Sequence, residues 1–183
     1  MYGLVNRAIE QMVCEAHGLE AWERIKEAAN VDTEVFISSE AYDDQVTYQL
    51  VGASSEVLGV PAASILEAFG RHWVLRTAQE GYGDLLRSAG KSLPAFLANL
   101  PTFHSRVKLL YPHLKPPTFR CDEVSTNSLR LHYHSPRVGL SMFVRGLLLG
   151  LGELFKIELE ISHVEKKDDG ANHDVFLISW LDA

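Results

Sequence analysis

The hydrophobic period of this 183-residue chain changes at Pro116-Pro117. Ahead of that pair, apolar residues recur at spacings of three and four, which stacks side chains on one face of a helix. Beyond it, β-branched and aromatic residues resume in period two, the spacing of a half-buried strand. Adjacent prolines lack two backbone donors and push the residue ahead of each away from helical geometry, so no helix runs through them. A chain divided in this way is expected to be α+β: a helical N-terminal half, then a four-stranded antiparallel sheet with one inserted helix.

On the helical side, the period predicts a helix over residues 2–17, with Val5, Ile9, Met12 and Val13 on one face and Gly18 at its C-cap. A second covers 19–29, with Trp22 and Ile25 buried, and a third covers 40–59, capped by Ser39. Pro61 opens a helix that reaches about Gln79, with Ile65, Phe69, His72 and Trp73 on related faces. The glycines of GYGD break it, Leu85 and Leu86 add a turn or two, and Ser92 to Ala98 form a short helix. Pro101 then suits the first turn of a separate helix. On the sheet side, Thr118 to Val124 is a strand, Ser125-Thr126-Asn127 a turn, and Leu129, Leu131 and Tyr133 a returning strand that runs on to Arg137. Gly139 to Phe155 is a strongly amphipathic helix, and Ile157 to Val164 and Val175 to Trp180 are the last strands.

Composition removes several function classes. The net charge is −7 and no basic run exceeds two residues, so there is no footprint for nucleic acid. The longest apolar run, Leu147 to Leu151, is far too short to cross a bilayer, and MYGLVNRAIEQMV lacks the basic start and apolar core of a signal peptide. Cys14 and Cys121 form no framework, and reduced thiols in a cytoplasmic setting are the default expectation. There is no GxGxxG, GxxxxGK[ST], GxSxG or HExxH, and no nucleophile–base–orienter set, so an enzyme is not expected. His132 and His134 read as solvated strand residues, and the Asp43-Asp44 and Asp168-Asp169 pairs as solvated carboxylates.

Two features carry chemistry. Leu100, Phe103, His104, Val107 and Tyr111 share a helix face, so His104 is an imidazole in the middle of an apolar stripe. Tyr133, Ser135 and Arg137 are spaced by two, so in an extended chain a phenol, a hydroxyl and a guanidinium converge on one side. Arginine offers a planar fork to a carboxylate or phosphate, and the hydroxyls add donors beside it. Each feature alone has a plain structural reading, as a core histidine and as the wet face of a strand. Together they suit a ligand that is flat, apolar, metal-centred and carboxylated, and haem is such a ligand.

At these residues the chain resembles the haem nitric oxide/oxygen-binding (H-NOX) family, which includes the haem domain of soluble guanylate cyclase. The resemblance covers essentially the whole chain: the start MYGLVN, LPTFHSRV with its histidine, a proline thirteen residues later, and Tyr-x-Ser-x-Arg. In length and detail it looks closest to a standalone cyanobacterial member. The resemblance implies a single domain over 1–183, with 1–60 a mainly helical distal part and 61–183 the proximal helix plus sheet. It implies haem b (iron protoporphyrin IX) with His104 as the iron ligand. Tyr133, Ser135 and Arg137 would hold the propionates, Pro117 would press on the porphyrin, and Ile9 and Trp73 would build the distal side. Met142, five residues after Arg137, falls where oxygen-binding relatives carry a tyrosine. That departure favours a sensor of nitric oxide and carbon monoxide that signals to a separate protein, a histidine kinase or cyclic-nucleotide enzyme. The rivals are a peroxidase-type haem enzyme, an oxygen-binding haem sensor, and a metal-free site for another small carboxylated ligand.

Overall fold

The computed structural model describes residues 1–111 and 114–181. Helices α1 (Gly3–His17), α2 (Leu19–Ala28), α3 (Asp44–Leu58) and α4 (Ala62–His72) come first. A π-helical turn, Trp73–Thr77, leads from α4 into α5 (Ala78–Ala89), and α6 (Leu93–Leu110) follows. Strands β1 (Thr118–Asp122) and β2 (Ser128–His134), helix α7 (Ser141–Phe155), then β3 (Leu159–Glu165) and β4 (Asp174–Trp180) complete the chain. The strands form one antiparallel sheet in the order β1-β2-β4-β3, with a bulge in β3 between His163 and Glu165. The fold is the expected α+β architecture with four antiparallel strands.

Apolar side chains collect into two cores. One lies among α1 to α4 and contains Ile9, Trp22, Ile25, Phe36 and Leu50, each 1% exposed or less. The other fills the space between α6, α7 and one face of the sheet, around Leu93, Leu97, Leu131, Leu148, Phe176 and Ile178. Alternation along β2 places Leu129, Leu131 and Tyr133 on that core face. Trp73, in the π-helical turn, packs against both cores. The halves are joined most closely where α4 crosses α7. A methyl group added to Gly146 would stand 2.0 Å from the Glu67 carbonyl oxygen, and one added to Gly70 would stand 2.1 Å from that of Phe143. Glu67–Arg145 and Arg71–Glu153 ion pairs flank this crossing.

Three local features differ from the sequence reading. Helix α3 starts at Asp44 because Asp43, not Ser39, caps it, its carboxylate accepting from Gln45 N at 2.8 Å. The break expected at GYGD is present within α5, whose two helical segments meet at the non-helical Tyr82 (φ −142°, ψ 24°), so this feature agrees with the sequence. Pro101 lies inside α6 rather than opening a helix, and Pro94 takes the first-turn place. That helix loses the donor for the Leu97 carbonyl. It continues because Leu93, Phe96, Leu97, Leu100 and Val107 are buried along its length. Strand β2 stops at His134, since Pro136 cannot donate to a ladder, and Ser135 to Leu140 form a loop.

The α4–α7 crossing generates a paired prediction. Gly146→Ala forces a methyl group into backbone that cannot rotate away, and is expected to lower stability by about 1–3 kcal/mol or more. Gly52→Ala, inside α3 with open space around it, is expected to be neutral or to stabilise by up to about 1 kcal/mol. Urea unfolding of both variants checks the contrast; equal midpoints would mean that the helices do not meet through backbone.

Candidate functional site

Helix α6 and strand β1 bring His104 and Phe119 together, with ring centroids 5.6 Å apart. Phe119 in turn lies 5.3 Å from the ring of Tyr133, its cross-strand neighbour on β2. The three rings form a row along the sheet's inner face. His104 keeps part of its surface in contact with solvent, while Nδ1 is sealed. Burial pushes the ring's pKa down to about 4, opposed to a smaller extent by a hydrogen bond with the Pro117 backbone. The imidazole is therefore neutral at physiological pH, the state in which it can ligate a metal. A cavity of about 90 Å³ lies against it, walled by leucines and phenylalanines of α5, α6 and α7, by Leu131 and by Trp73.

The second cluster is assembled by the loop after β2 rather than by a strand face. The Tyr133 phenol and Ser135 hydroxyl are hydrogen-bonded to each other, and Ser135 Oγ accepts from Arg137 N at 3.1 Å. Burial pushes the Tyr133 phenol up, so it stays protonated and able to donate. Arg137 is held at three points: Nε to Asp44 Oδ2 (2.7 Å), Nη2 to Asp44 Oδ1 (3.3 Å) and Nη1 to the Lys115 carbonyl (3.0 Å). Those bonds use three of its five N–H groups, leaving two for a further acceptor. Asp44 also accepts from the Met1 ammonium at 2.6 Å. Burial works to raise the Asp44 carboxyl, but Arg137 and the ammonium outweigh it and hold it below the usual carboxylate range.

The structure thus brings together His104, Pro117, Trp73, Tyr133, Ser135 and Arg137 along one side of the sheet. Ile9 and Met142 stand elsewhere. Ile9 is fully buried in the N-terminal core, and Met142 is half-buried at the start of α7; neither lines the cavity beside His104. Phe143, next to Met142, packs against Phe69 at 4.9 Å and Trp73 at 6.4 Å.

Several residues of consequence were not legible as such. Asp44 read as one of a solvated pair, yet it anchors Arg137 across 93 positions of sequence. His132 read as solvated but is buried, its Nε2 2.9 Å from Asp122 Oδ1 and its Nδ1 2.7 Å from His173 Nε2. His134 stacks on His173 at 3.9 Å. Among the described residues no group of three or more histidines, cysteines or carboxylates is placed to hold a metal ion. Cys14 and Cys121 are free thiols, and burial pushes Cys121 up to about 11. No single helix among those residues is long and apolar enough to cross a membrane.

A neutral imidazole facing an apolar cavity, beside a cluster that can grip a carboxylate, defines a module that encloses a ligand rather than one that turns over substrate. Comparison with known proteins gives the family. Residues 2–163 match the haem-NO-binding family. The chain is 30% identical over its whole length to a soluble guanylate cyclase, gcy-35, of Caenorhabditis elegans, covering 28% of that protein. It is 26% identical to the Fe(II) unliganded H-NOX protein of K. algicida, with a TM-score of 0.88 over all of this chain and 98% of that one. A crystal structure of the S. oneidensis H-NOX protein in the Fe(II)NO state has the same fold, with a TM-score of 0.90 over both whole chains at 23% identity. The chain spans under a third of the length of the curated relatives it matches. It belongs to the haem-NO-binding, or H-NOX, family, whose domain is a haem-binding gas sensor and not a catalytic unit.

The donor set fits haem: a neutral imidazole on an otherwise apolar wall, and a protonated phenol, a hydroxyl and a guanidinium nearby. A pH prediction follows for the haem-free chain. The unfolded His104 takes up a proton near 6.5, whereas the folded one does so only at about 4. Folding stability is therefore complete above pH 6.5 and falls as pH drops towards 4, by at most about 3 kcal/mol. His104→Leu should flatten that part of the profile. Parallel stability profiles for the two proteins between pH 7 and 4 would mean that the ring is not held neutral by burial.

Proposed function

We propose that this chain is a ferrous haem b sensor of nitric oxide and carbon monoxide whose output is read by a separate signalling protein. The observation that carries this reading is His104: a largely buried, neutral imidazole on an apolar cavity, set beside a carboxylate grip in an H-NOX fold. When bound, haem supplies a gas-binding iron and two propionates. His104 would hold the iron. Tyr133, Ser135 and the two remaining N–H groups of Arg137 would hold the propionates, and Pro117 would press on the macrocycle. The cavity beside His104 is smaller than a porphyrin, but its wall is mostly leucine and phenylalanine, whose side chains can swing aside. Residues 1–60 supply the distal layer in this reading; of Ile9, Trp73 and Met142, Trp73 alone borders the cavity beside His104.

Signalling follows from how His104 is mounted. His104 would hold the iron from α6; loss of that hold on nitric oxide binding would free α6 to shift against β1, and an effector such as a histidine kinase or a cyclic-nucleotide enzyme would read the shift. Ligand choice follows from the donors. Bound oxygen needs a hydrogen-bond donor far more than nitric oxide or carbon monoxide does, and the Met142 thioether donates none.

The first test is the absorption spectrum. Purified protein is expected to show a Soret band, and the ferrous form to bind nitric oxide and carbon monoxide but to form no lasting oxygen complex in air. A persistent six-coordinate oxy spectrum would overturn the ligand assignment and point to the Trp73 indole as donor. His104→Gly should hold haem poorly unless imidazole is supplied; wild-type haem content and ferrous spectrum without imidazole would remove His104 from the iron. For the grip, Arg137→Ala should speed haem loss more than Ser135→Ala, because a charge-assisted hydrogen bond contributes about 1.5–3 kcal/mol and a neutral one about 0.5–1.5. Haem loss from Arg137→Ala at the wild-type rate would take the motif out of the site.

A further inference from the structure

The loop that carries Ser135 and Arg137 leaves the sheet after His134, and no strand ladder fixes it. The Asp44–Arg137 ion pair ties it to the helical half. A second tie comes from the other side, from the turn between β3 and β4. The Lys167 ammonium donates to the Ser135 carbonyl at 2.8 Å, across 32 positions of sequence. Lys167 is itself fixed, because its backbone N–H donates to Asp174 Oδ1 at 3.2 Å. The same oxygen accepts from His163 Nε2 at 2.8 Å. An ionised carboxylate only accepts, so His163 presents Nε2–H to it. His163 is braced in turn, its ring stacked on the core residue Phe176 at 4.4 Å. Asp174 is 7% exposed and lies directly across from Tyr133 in the β2–β4 register. A continuous chain of contacts therefore runs from the hydrophobic core, through His163, Asp174 and Lys167, to the backbone of the middle residue of Tyr-x-Ser-x-Arg.

We infer that Lys167 is a positioning residue for the propionate grip, with Asp174 and His163 setting its place. This rests on the haem reading above. Lys167 does not need to touch the ligand: it holds the Ser135 carbonyl, which fixes the direction in which the Ser135 hydroxyl and the Arg137 guanidinium face. The Lys167 tie acts beside those made by Asp44 and the Lys115 carbonyl to Arg137 and by the Tyr48 hydroxyl to the Val138 carbonyl (3.0 Å), and it is the one that holds Ser135 by its backbone. Cutting the Lys167 tie leaves Arg137 paired with Asp44 but lets Ser135 drift from Tyr133.

The test uses the haem-loaded protein. Haem transfer to an excess of apoglobin is followed for wild type, Lys167→Met, Lys167→Arg and Arg137→Ala. The Met variant keeps the packed side-chain stem and loses only the donor. Lys167→Met is expected to lose haem roughly three- to tenfold faster, the range set by one hydrogen bond, and Lys167→Arg to restore the wild-type rate. The resonance Raman propionate bending band should shift in Lys167→Met while the iron–imidazole stretching band stays in place. If Arg137→Ala speeds haem loss and Lys167→Met does not, the inference fails and the haem reading stands. Wild-type rates for both variants would bring down the grip itself and this inference with it. A shift of both Raman bands in Lys167→Met, with no rescue by arginine, would show general loosening and would also overturn it.

Discussion

An imidazole buried in an apolar wall is held in its neutral form, because burial disfavours the charged one. In this chain that imidazole is His104, and much of the surrounding structure serves to keep it there. The length of α6 is held through an internal proline by five buried side chains. The sheet presents Phe119 to the ring, and the apolar wall keeps the imidazole neutral. The hydrogen bond with the Pro117 backbone engages one ring nitrogen, which leaves the lone pair of the neutral ring on the other.

The second element of the site depends on long-range ties. Loop residues 135–140 gather the phenol, the hydroxyl and the guanidinium although the strand has ended. They do so because Asp44 draws Arg137 from one side and Lys167 draws the Ser135 carbonyl from the other. Both ties pair groups that local sequence shows as ordinary surface charges.

That difference marks what could be read from sequence and what could not. The α+β class, the four antiparallel strands and the isolation of His104 in an apolar stripe all follow from periodicity, which is set by neighbours three or four residues away. The placement of Tyr133, Ser135 and Arg137 on one side was legible in outcome, but its cause is a loop and not a strand face, since Pro136 interrupts the ladder. Pro101 inside α6 shows tertiary burial outweighing a local helix breaker. Asp44 and His132 were misread because their partners, Arg137 and His173, lie 93 and 41 positions away. No local window contains both members of such a pair.

The glycine crossing of α4 and α7 carries a consequence for motion. Where two helices meet through side chains, a small displacement is absorbed by rotamer changes. At Gly70 and Gly146 main chain rests on main chain, and nothing there can yield. The two helices behave as one welded strut that reaches from the N-terminal core to the sheet. Trp73 stands one turn beyond Gly70 on that strut and borders the cavity beside His104. A push at the indole meets no soft joint at this crossing, so α4 and α7 would move together and carry both cores with them.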